Sequence, residues 1–245
     1  MTEERSQSRF SRRGVLGGLA AGTLALAGCS GGGGATTQDG DGDADGDTDG
    51  TADGDLVVTP GADGTLPTPV AGNPDAQVTL AVYEDYACPH CAHYNQDGFP
   101  ELASSYLDAG EIRYEHHDLP IPVANPGSWE AASAGRAVQA MAGDEQFYAF
   151  ANGVFENYRQ IPDGGPSMYE SVATDLGLDG GAVRSAAENQ TYQATVEADR
   201  QAGIDAGVQS TPTFVLDGDI VAAGWGEETL STVRSAIDDA LGSTV

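Results

Sequence analysis

Two of the chain's three cysteines stand in Cys88-Pro89-His90-Cys91, at the end of the apolar alternation Val78, Leu80, Val82. Thiols at that spacing can hold a soft metal ion, close a structural bridge, or cycle between dithiol and disulfide. A zinc site needs four ligands, and no second cysteine pair exists, so a metal must recruit histidine: His90 and His93 close by, or His116 and His117 further on. A copper(I) or zinc carrier built on Cys88, Cys91 and a histidine stays open as the alternative. A bridge closing so short a loop restrains the unfolded chain little. The redox reading rests on position. A helix that starts at Pro89 leaves Cys88 beside unpaired backbone N–H groups and the positive end of the helix dipole, which favour an anion. Pro89 suits the first turn because the N–H it lacks would have no partner there. Cys91 lies one turn in and is expected to be more buried. A lowered thiol pKa makes Cys88 the better leaving group and destabilises the disulfide relative to the dithiol, by about 1.4 kcal/mol per unit. His90, between the sulfurs, can add a donor or a positive charge.

The elements that must hold this pair are legible around it. Val78, Leu80 and Val82 alternate with Thr79, Ala81 and Tyr83, a strand pattern. A helical stretch follows Cys88 to about Leu107, with Gly98 and Pro100 expected to kink or split it. Glu111 to Leu119 is a second strand, and strand–helix–strand predicts a right-handed parallel crossover. Residues 124–206 read as helical. Asn125-Pro126 and Ser128 open one segment and Asp144 caps the next. Ser167 and Glu170 form a capping box, Asp179 starts a fourth segment, and Gln190 to Ala206 makes a fifth that ends at Gly207. Thr213 to Leu216, the turn Asp217-Gly218 and Ile220 to Ala222 make a hairpin. Glu227 to Leu241 closes the chain as a helix with the apolar stripe Leu230, Val233, Ile237, Leu241. Trp129 and Trp225 are candidates for a peptide groove or for the core, and His93, His116 and His117 read as packing or solvated residues.

The first 76 residues read differently. Arg12-Arg13 precedes the charge-free stretch 14–28, roughly 22 Å as a helix and short of a ~30 Å hydrocarbon core, so residues 1–28 read as a signal peptide. The arginine pair is similar to a twin-arginine export signal, and Leu26-Ala27-Gly28-Cys29 resembles a lipobox with lipid on Cys29. Lipidation there would leave Cys88 and Cys91 alone in the mature chain. Residues 29–76 are Gly, Asp, Thr and Pro, with almost nothing to bury, and predict a disordered acidic tether. Asp45-Gly46-Asp47-Thr48-Asp49-Gly50 begins like a calcium loop, but its twelfth position is Leu56, where a bidentate Glu is needed. Leu56-Val57-Val58 is a possible short strand.

The 10 basic residues are all Arg and face 38 acids, a formal charge of −28; from Cys29 onward 6 Arg face 36 acids. That balance excludes a nucleic-acid partner, whose phosphates would be repelled, and docking on anionic lipid through the protein surface. Such a Lys-free, carboxylate-rich surface resembles proteins of halophilic organisms. It opposes a thiolate, but at 1 M salt the screening length is about 3 Å, so distant carboxylates fade while local N–H contacts remain.

Cys88-Pro89-His90-Cys91 after a strand, with Thr211-Pro212-Thr213-Phe214 before a late hairpin, resembles the DsbA-like thiol:disulfide oxidoreductases. Asp85-Tyr86, Asp118-Leu119-Pro120, Glu197-Ala198-Asp199-Arg200 and Gly207-Val208-Gln209-Ser210-Thr211-Pro212 stand in the family's order, and the match covers roughly residues 77–243. The resemblance implies an α/β thioredoxin-like fold in residues 77–245, with an all-helical insertion between the βαβ half and the hairpin–helix half. It implies that Cys88, Cys91, His90 and Pro212 form the catalytic centre and that Pro89 and Thr211 meet substrate. Pro212 would be cis, Thr211 would face the sulfurs, and its extended backbone would pair with a bound peptide. The implied activity is exchange of disulfides with exported proteins outside the cytoplasm, export favouring the oxidase direction. No bound cofactor is called for, and a membrane redox partner recycles the pair. One departure stands out: the family often has a buried acid six residues before the first cysteine, and here that position is Val82.

Overall fold

The computed structural model describes residues 57–243. The signal-peptide and lipobox readings, Cys29 and the Asp-rich run lie outside the described residues. Five strands form one mixed sheet in the order β1-β3-β2-β4-β5. Strand β1 (Val70–Gly72) runs antiparallel to β3, and β2 (Val78–Glu84) lies parallel to β3 (Ile112–Asp118), as the crossover pattern predicts. Strand β4 (Thr213–Leu216) is antiparallel to β2 and pairs with β5 (Asp219–Ala223) through the turn at Asp217 and Gly218, whose φ values of 48° and 94° are those the Asp-Gly pair predicts. The fold is the α/β architecture expected: the β2–β3 half, a helical insertion, then the hairpin and a closing helix.

The redox stretch is split, as Gly98 and Pro100 predict, and the device is a pair of wide π turns. Helix α1 (Pro89–His93) passes into a π turn over Tyr94–Gly98, where the Phe99 N–H bonds to Tyr94 O, five residues back. Helix α2 (Phe99–Leu102) leads into a second such turn over Ala103–Leu107. Pro100 has no N–H with which to continue the regular ladder. Gly98 leaves room for Trp225: a Cβ there would run into the Trp225 ring. Val78, Leu80, Ile112, Tyr114, Phe214 and Leu216 of the sheet pack with Tyr94 and Leu102 and with Val233 and Ile237 of the closing helix. Of the stripe predicted for that helix, Leu230 and Leu241 are half-buried beside them. Trp225 belongs to this core, and Trp129 packs against the insertion's core.

The insertion contains α3 (Gly127–Ala142), α4 (Asp144–Glu156), α5 (Ile161–Asp175), α6 (Gly180–Glu188) and α7 (Gln193–Asp205), with α8 (Glu227–Ser243) closing the fold. Asp179 caps α6 by accepting from the Ala182 N–H, and α7 ends as predicted at Gly207, whose φ is +84°.

Several expectations are corrected. The folded part begins before residue 77. Residues 57–69 run along the insertion, with Val58 N–H on Ala140 O and Leu66 N–H on Thr195 Oγ1, and β1 then adds an edge strand. A three-residue strand among Pro and Gly carries too little alternation to be read, and Val57-Val58 forms no strand. Asp144 is not a cap: its carboxylate accepts from the Val70 N–H and from Gln139, tying β1 to α3 and α4. Ser167 and Glu170 do not open a helix, because α5 begins six residues earlier at Ile161 and crosses a kink at Gly164. Helix α7 starts at Gln193 rather than Gln190, whose φ is 48°.

Candidate active site

Cys88 ends the link from β2 and stands at the cap position of α1, with extended backbone (φ −78°, ψ 121°). Its N–H donates to Asp85 O, and its O accepts from Ala92 N–H. Asp85 shapes this link. One carboxylate oxygen accepts from Ala87 N–H and the other from Ile121 N–H, both at 2.7 Å, which joins the Cys88 loop to the chain leaving β3. Burial pushes Asp85 up to about 6, against these N–H donors and the Ser128 hydroxyl. Both thiols are free; Cys88 is 5% exposed and Cys91 fully buried. Pro89 and His90 are exposed.

The Thr211–Pro212 peptide is cis, as the resemblance implies, and brings Thr211 to the sulfur: Cys88 Sγ lies 3.5 Å from Thr211 O. The buried Thr211 Oγ1 has no hydrogen-bond partner among the described residues. Thr211 is nevertheless among the groups that lower Cys88.

The two thiols are driven apart. Cys88 is lowered to about 5, first by the Cys91 S–H, then by Thr211 and by the backbone N–H groups of Cys91 and His90, which together outweigh burial. Cys91 is pushed well up by burial, by its bond to the Cys88 thiolate and by the charge of Glu84. The expectation from the helix start is thus met in direction and changed in emphasis. The neighbouring thiol contributes most, because an S–H aimed at a thiolate is a charge-assisted bond. His90 acts through its backbone N–H. The nearby histidines do not join the sulfurs in a metal-like set: among the described residues, no three His, Cys, Asp or Glu side chains converge as a metal ion would need.

Behind the cysteines runs a chain of alternating acids and bases. Glu84 Oε2 is 3.3 Å from His116 Nδ1, and His116 Nε2 is 3.3 Å from Asp118 Oδ1. Arg136 donates from Nε to Asp118 Oδ2 at 2.7 Å and from Nη2 to Asp199. Asp199 also meets His117, which meets Glu115, which meets Arg113 near the start of β3. Glu84, His116, Asp118 and Arg136 are buried. Burial pulls His116 down, but the bonds and charges of Asp118 and Glu84 raise it to about 9. Burial raises Asp118, but Arg136 and His116 hold it below the usual carboxylate range. Asp118 and Asp199, each in one of the family-like motifs, both hold Arg136. The signal for Arg136 was in the sequence, an arginine inside the apolar run Ala131–Ala142 of an Arg-poor chain. Asn95 had no such signal; the π turn aims it at Glu84 (2.6 Å) and at Cys91 O (3.1 Å).

A CxxC at the start of a helix, facing a cis-proline loop across a sheet of this order, defines the thioredoxin-fold thiol proteins as a class. Comparison with known proteins agrees. The family model described as "Thioredoxin" matches residues 65–239. Disulfide bond formation protein D of Bacillus subtilis is 25% identical over 156 residues, covering 62% of this chain and 69% of that protein. The crystal structure of oxidised BdbD from Bacillus subtilis superposes with a TM-score of 0.62 at 24% identity, over 77% of this chain and 100% of that one. That of Wolbachia pipientis alpha-DsbA1 gives 0.59 at 20% identity, over 72% and 92%. Some relatives are much longer: the chain spans 25% of a Na(+)/H(+) antiporter NhaA of Herminiimonas arsenicoxydans. The chain belongs to the thioredoxin family. Within it, this is a DsbA-like dithiol–disulfide oxidoreductase.

Proposed function

We propose that Cys88 is the exchanging sulfur and Cys91 the resolving one, and that the protein oxidises the thiols of exported proteins outside the cytoplasm. The observation that carries this reading is the opposed pair: a Cys88 thiolate held at about 5 beside Thr211, and a buried Cys91 thiol pushed well up. A substrate thiolate attacks Cys88 of the Cys88–Cys91 disulfide. The substrate–Cys88 bond forms, the Cys88–Cys91 bond breaks, and Cys91 leaves as a thiolate that takes up a proton. The substrate's second thiolate then attacks the first substrate sulfur, and Cys88 departs as a thiolate. The two electrons lost by the substrate rest on the Cys88/Cys91 dithiol. Stabilising that thiolate favours the reduced enzyme, which is what an oxidant needs. His90 and Pro89, exposed beside Cys88, and the Thr211 backbone next to Pro212 supply the surface against which a client strand lies.

A membrane redox partner re-oxidises the pair, and lipid on Cys29 together with an acidic tether keeps the enzyme near it. No helix among the described residues is long and apolar enough to cross a membrane. A name such as disulfide bond formation protein D, borne by a relative, supports the oxidase direction. The test is exchange with a small dithiol: Cys88→Ser abolishes it, and Cys91→Ser accumulates a mixed disulfide on Cys88. Normal turnover in both variants overturns the reading. For the metal-carrier alternative, the discriminating result is metal retained through dialysis without thiol exchange.

A further inference from the structure

The chain carries 38 acids in 245 residues, yet the three segments that meet around Cys88 carry none. No Asp or Glu occurs in residues 86–96, which hold the cysteine pair, in 119–129, which leave β3, or in 206–216, which hold the cis-proline turn. The Ile121 N–H on Asp85 ties the second segment to the Cys88 loop, and Thr211 O, 3.5 Å from Cys88 Sγ, brings in the third. Glu84 and Asp85, just before the pair, are buried. Most of the surface repels an acidic client; at this face the repulsion is locally relieved.

A fourth segment adds a cation. Residues 157–162, after α4, hold Arg159 and no acid. Arg159 stands in an open pocket of about 280 Å³. His93 and Gln96, from the helix and π turn that carry on from the cysteines, line it together with residues 156–160. Six arginines lie among the described residues. Arg113, Arg136, Arg184, Arg200 and Arg234 each lie 3.6 Å or less from a carboxylate oxygen. Arg159 alone has no such partner among the described residues. Its Nε donates to the Tyr158 hydroxyl at 3.1 Å, and its guanidinium lies over the Tyr158 ring, 5.5 Å from the centroid. That holds the side chain and leaves the N–H donors of Nη1 and Nη2 for a ligand. The carbonyls ending α4 would oppose an anion, but they are taken. Gln96 Nε2 donates to Phe155 O, Asn157 Nδ2 to Gly153 O and Asn157 N–H to Val154 O. Glu156 is the one carboxylate lining the pocket and forms no ion pair with Arg159.

We propose that this pocket binds a side-chain carboxylate of the client, an Asp or Glu close in sequence to the cysteine that Cys88 engages, and that Arg159 is the specificity-determining residue. This deepens the exchange reading and rests on Cys88 being the exchanging sulfur. The Nη pair meets the two carboxylate oxygens together, the geometry in which a guanidinium discriminates best. His93 and Gln96 add side-chain donors, and Glu156 opposes the client's charge. His93 is five residues past Cys88, about 7.5 Å along a helix. An extended client covers that distance in two or three residues at ~3.3 Å each, so the acid stands two or three residues from its cysteine.

The experiment mixes the oxidised full chain with dithiol peptides in 1 M salt, where a screening length of about 3 Å silences the distant carboxylates. The peptides differ at one position outside the cysteine pair, Glu or Gln, placed one to six residues from the nearer cysteine on either side. Each oxidation rate is divided by that peptide's rate with a small neutral disulfide, so that its own thiol acidity cancels. In unmodified protein, which needs no variant to fold, the Glu-to-Gln ratio peaks with the acid two or three residues away. In Arg159→Gln that peak falls by about 3- to 5-fold, the scale of an exposed ion pair. Arg159→Lys keeps part of it, and Glu156→Gln raises it. A ratio that ignores the position of the acid, or one that is the same in Arg159→Gln as in unmodified protein, overturns the proposal. Failure of the unmodified protein to oxidise either peptide overturns the exchange reading itself.

Discussion

The largest influence lowering Cys88 is a single donor, the Cys91 S–H, and it can be deleted with one substitution. A hydrogen bond to a charged group contributes about 1.5–3 kcal/mol, and about 1.4 kcal/mol is one pKa unit, so Cys91→Ala should raise the Cys88 midpoint by about one to two units. In unmodified protein, with Cys88 at about 5, roughly 99% of it is thiolate at pH 7; at a midpoint near 7 only about half would be. Cys91→Ser keeps a donor in place and should move the midpoint less than Cys91→Ala. The assay is thiolate ultraviolet absorbance against pH, with the pH dependence of alkylation as a second readout. Repetition in 1 M salt separates local from distant effects, since the screening length there is about 3 Å. If Cys91→Ala titrates with the unmodified protein, the backbone N–H groups of Cys91 and His90 and the Thr211 hydroxyl carry the anion without the thiol, and the leading place of the Cys91 S–H is refuted.

Three further outcomes follow from the packing. Arg136→Met removes the guanidinium from the buried Asp118 carboxylate, leaving it only His116, and should cost about 3–5 kcal/mol, read as a lower urea midpoint; Arg136→Lys should recover little, because Nε and Nη2 serve two different carboxylates. Gly98→Ala drives a methyl into the Trp225 ring and should destabilise by about 1–3 kcal/mol, read by Trp fluorescence during unfolding. His116 is raised to about 9, so its contribution to stability is whole below about pH 6.5 and is lost as pH rises through about 9. This should be measured on the oxidised protein, where Cys88 does not titrate, and His116→Gln should flatten that alkaline fall.

The sheet, its crossover and the late hairpin were legible because their period-2 alternation and the Asp-Gly turn report local backbone directly. The cysteine pair was legible from spacing, and the role of Thr211-Pro212 only through the resemblance to the DsbA-like family. What escaped depends on tertiary contacts. Strand β1 exists only because β3 offers an unpaired edge, and Asp144 turns from a helix cap into a tie because Val70 arrives beside it. The buried acid–histidine side of the site was hidden for the same reason. Val82 occupies the position where the family often has a buried acid; Glu84 and Asp85 stand near it in sequence, and only the register sets Glu84 beside His116 and the π turn brings Asn95 onto it.

An oxidising role requires that the Cys88 thiolate favour the dithiol over the disulfide. Between the usual thiol value near 9 and pH 7 the reduced pair gains about 100-fold at most, and about 10-fold once solvent screening of a partly open site is allowed for. Equilibrating the pair against glutathione redox mixtures in high salt measures this directly. The expected result is a pair still reduced where the glutathione poise is more oxidising than its usual cytosolic range, a potential above about −200 mV. A pair that stays oxidised in those mixtures, as a structural disulfide does, contradicts it.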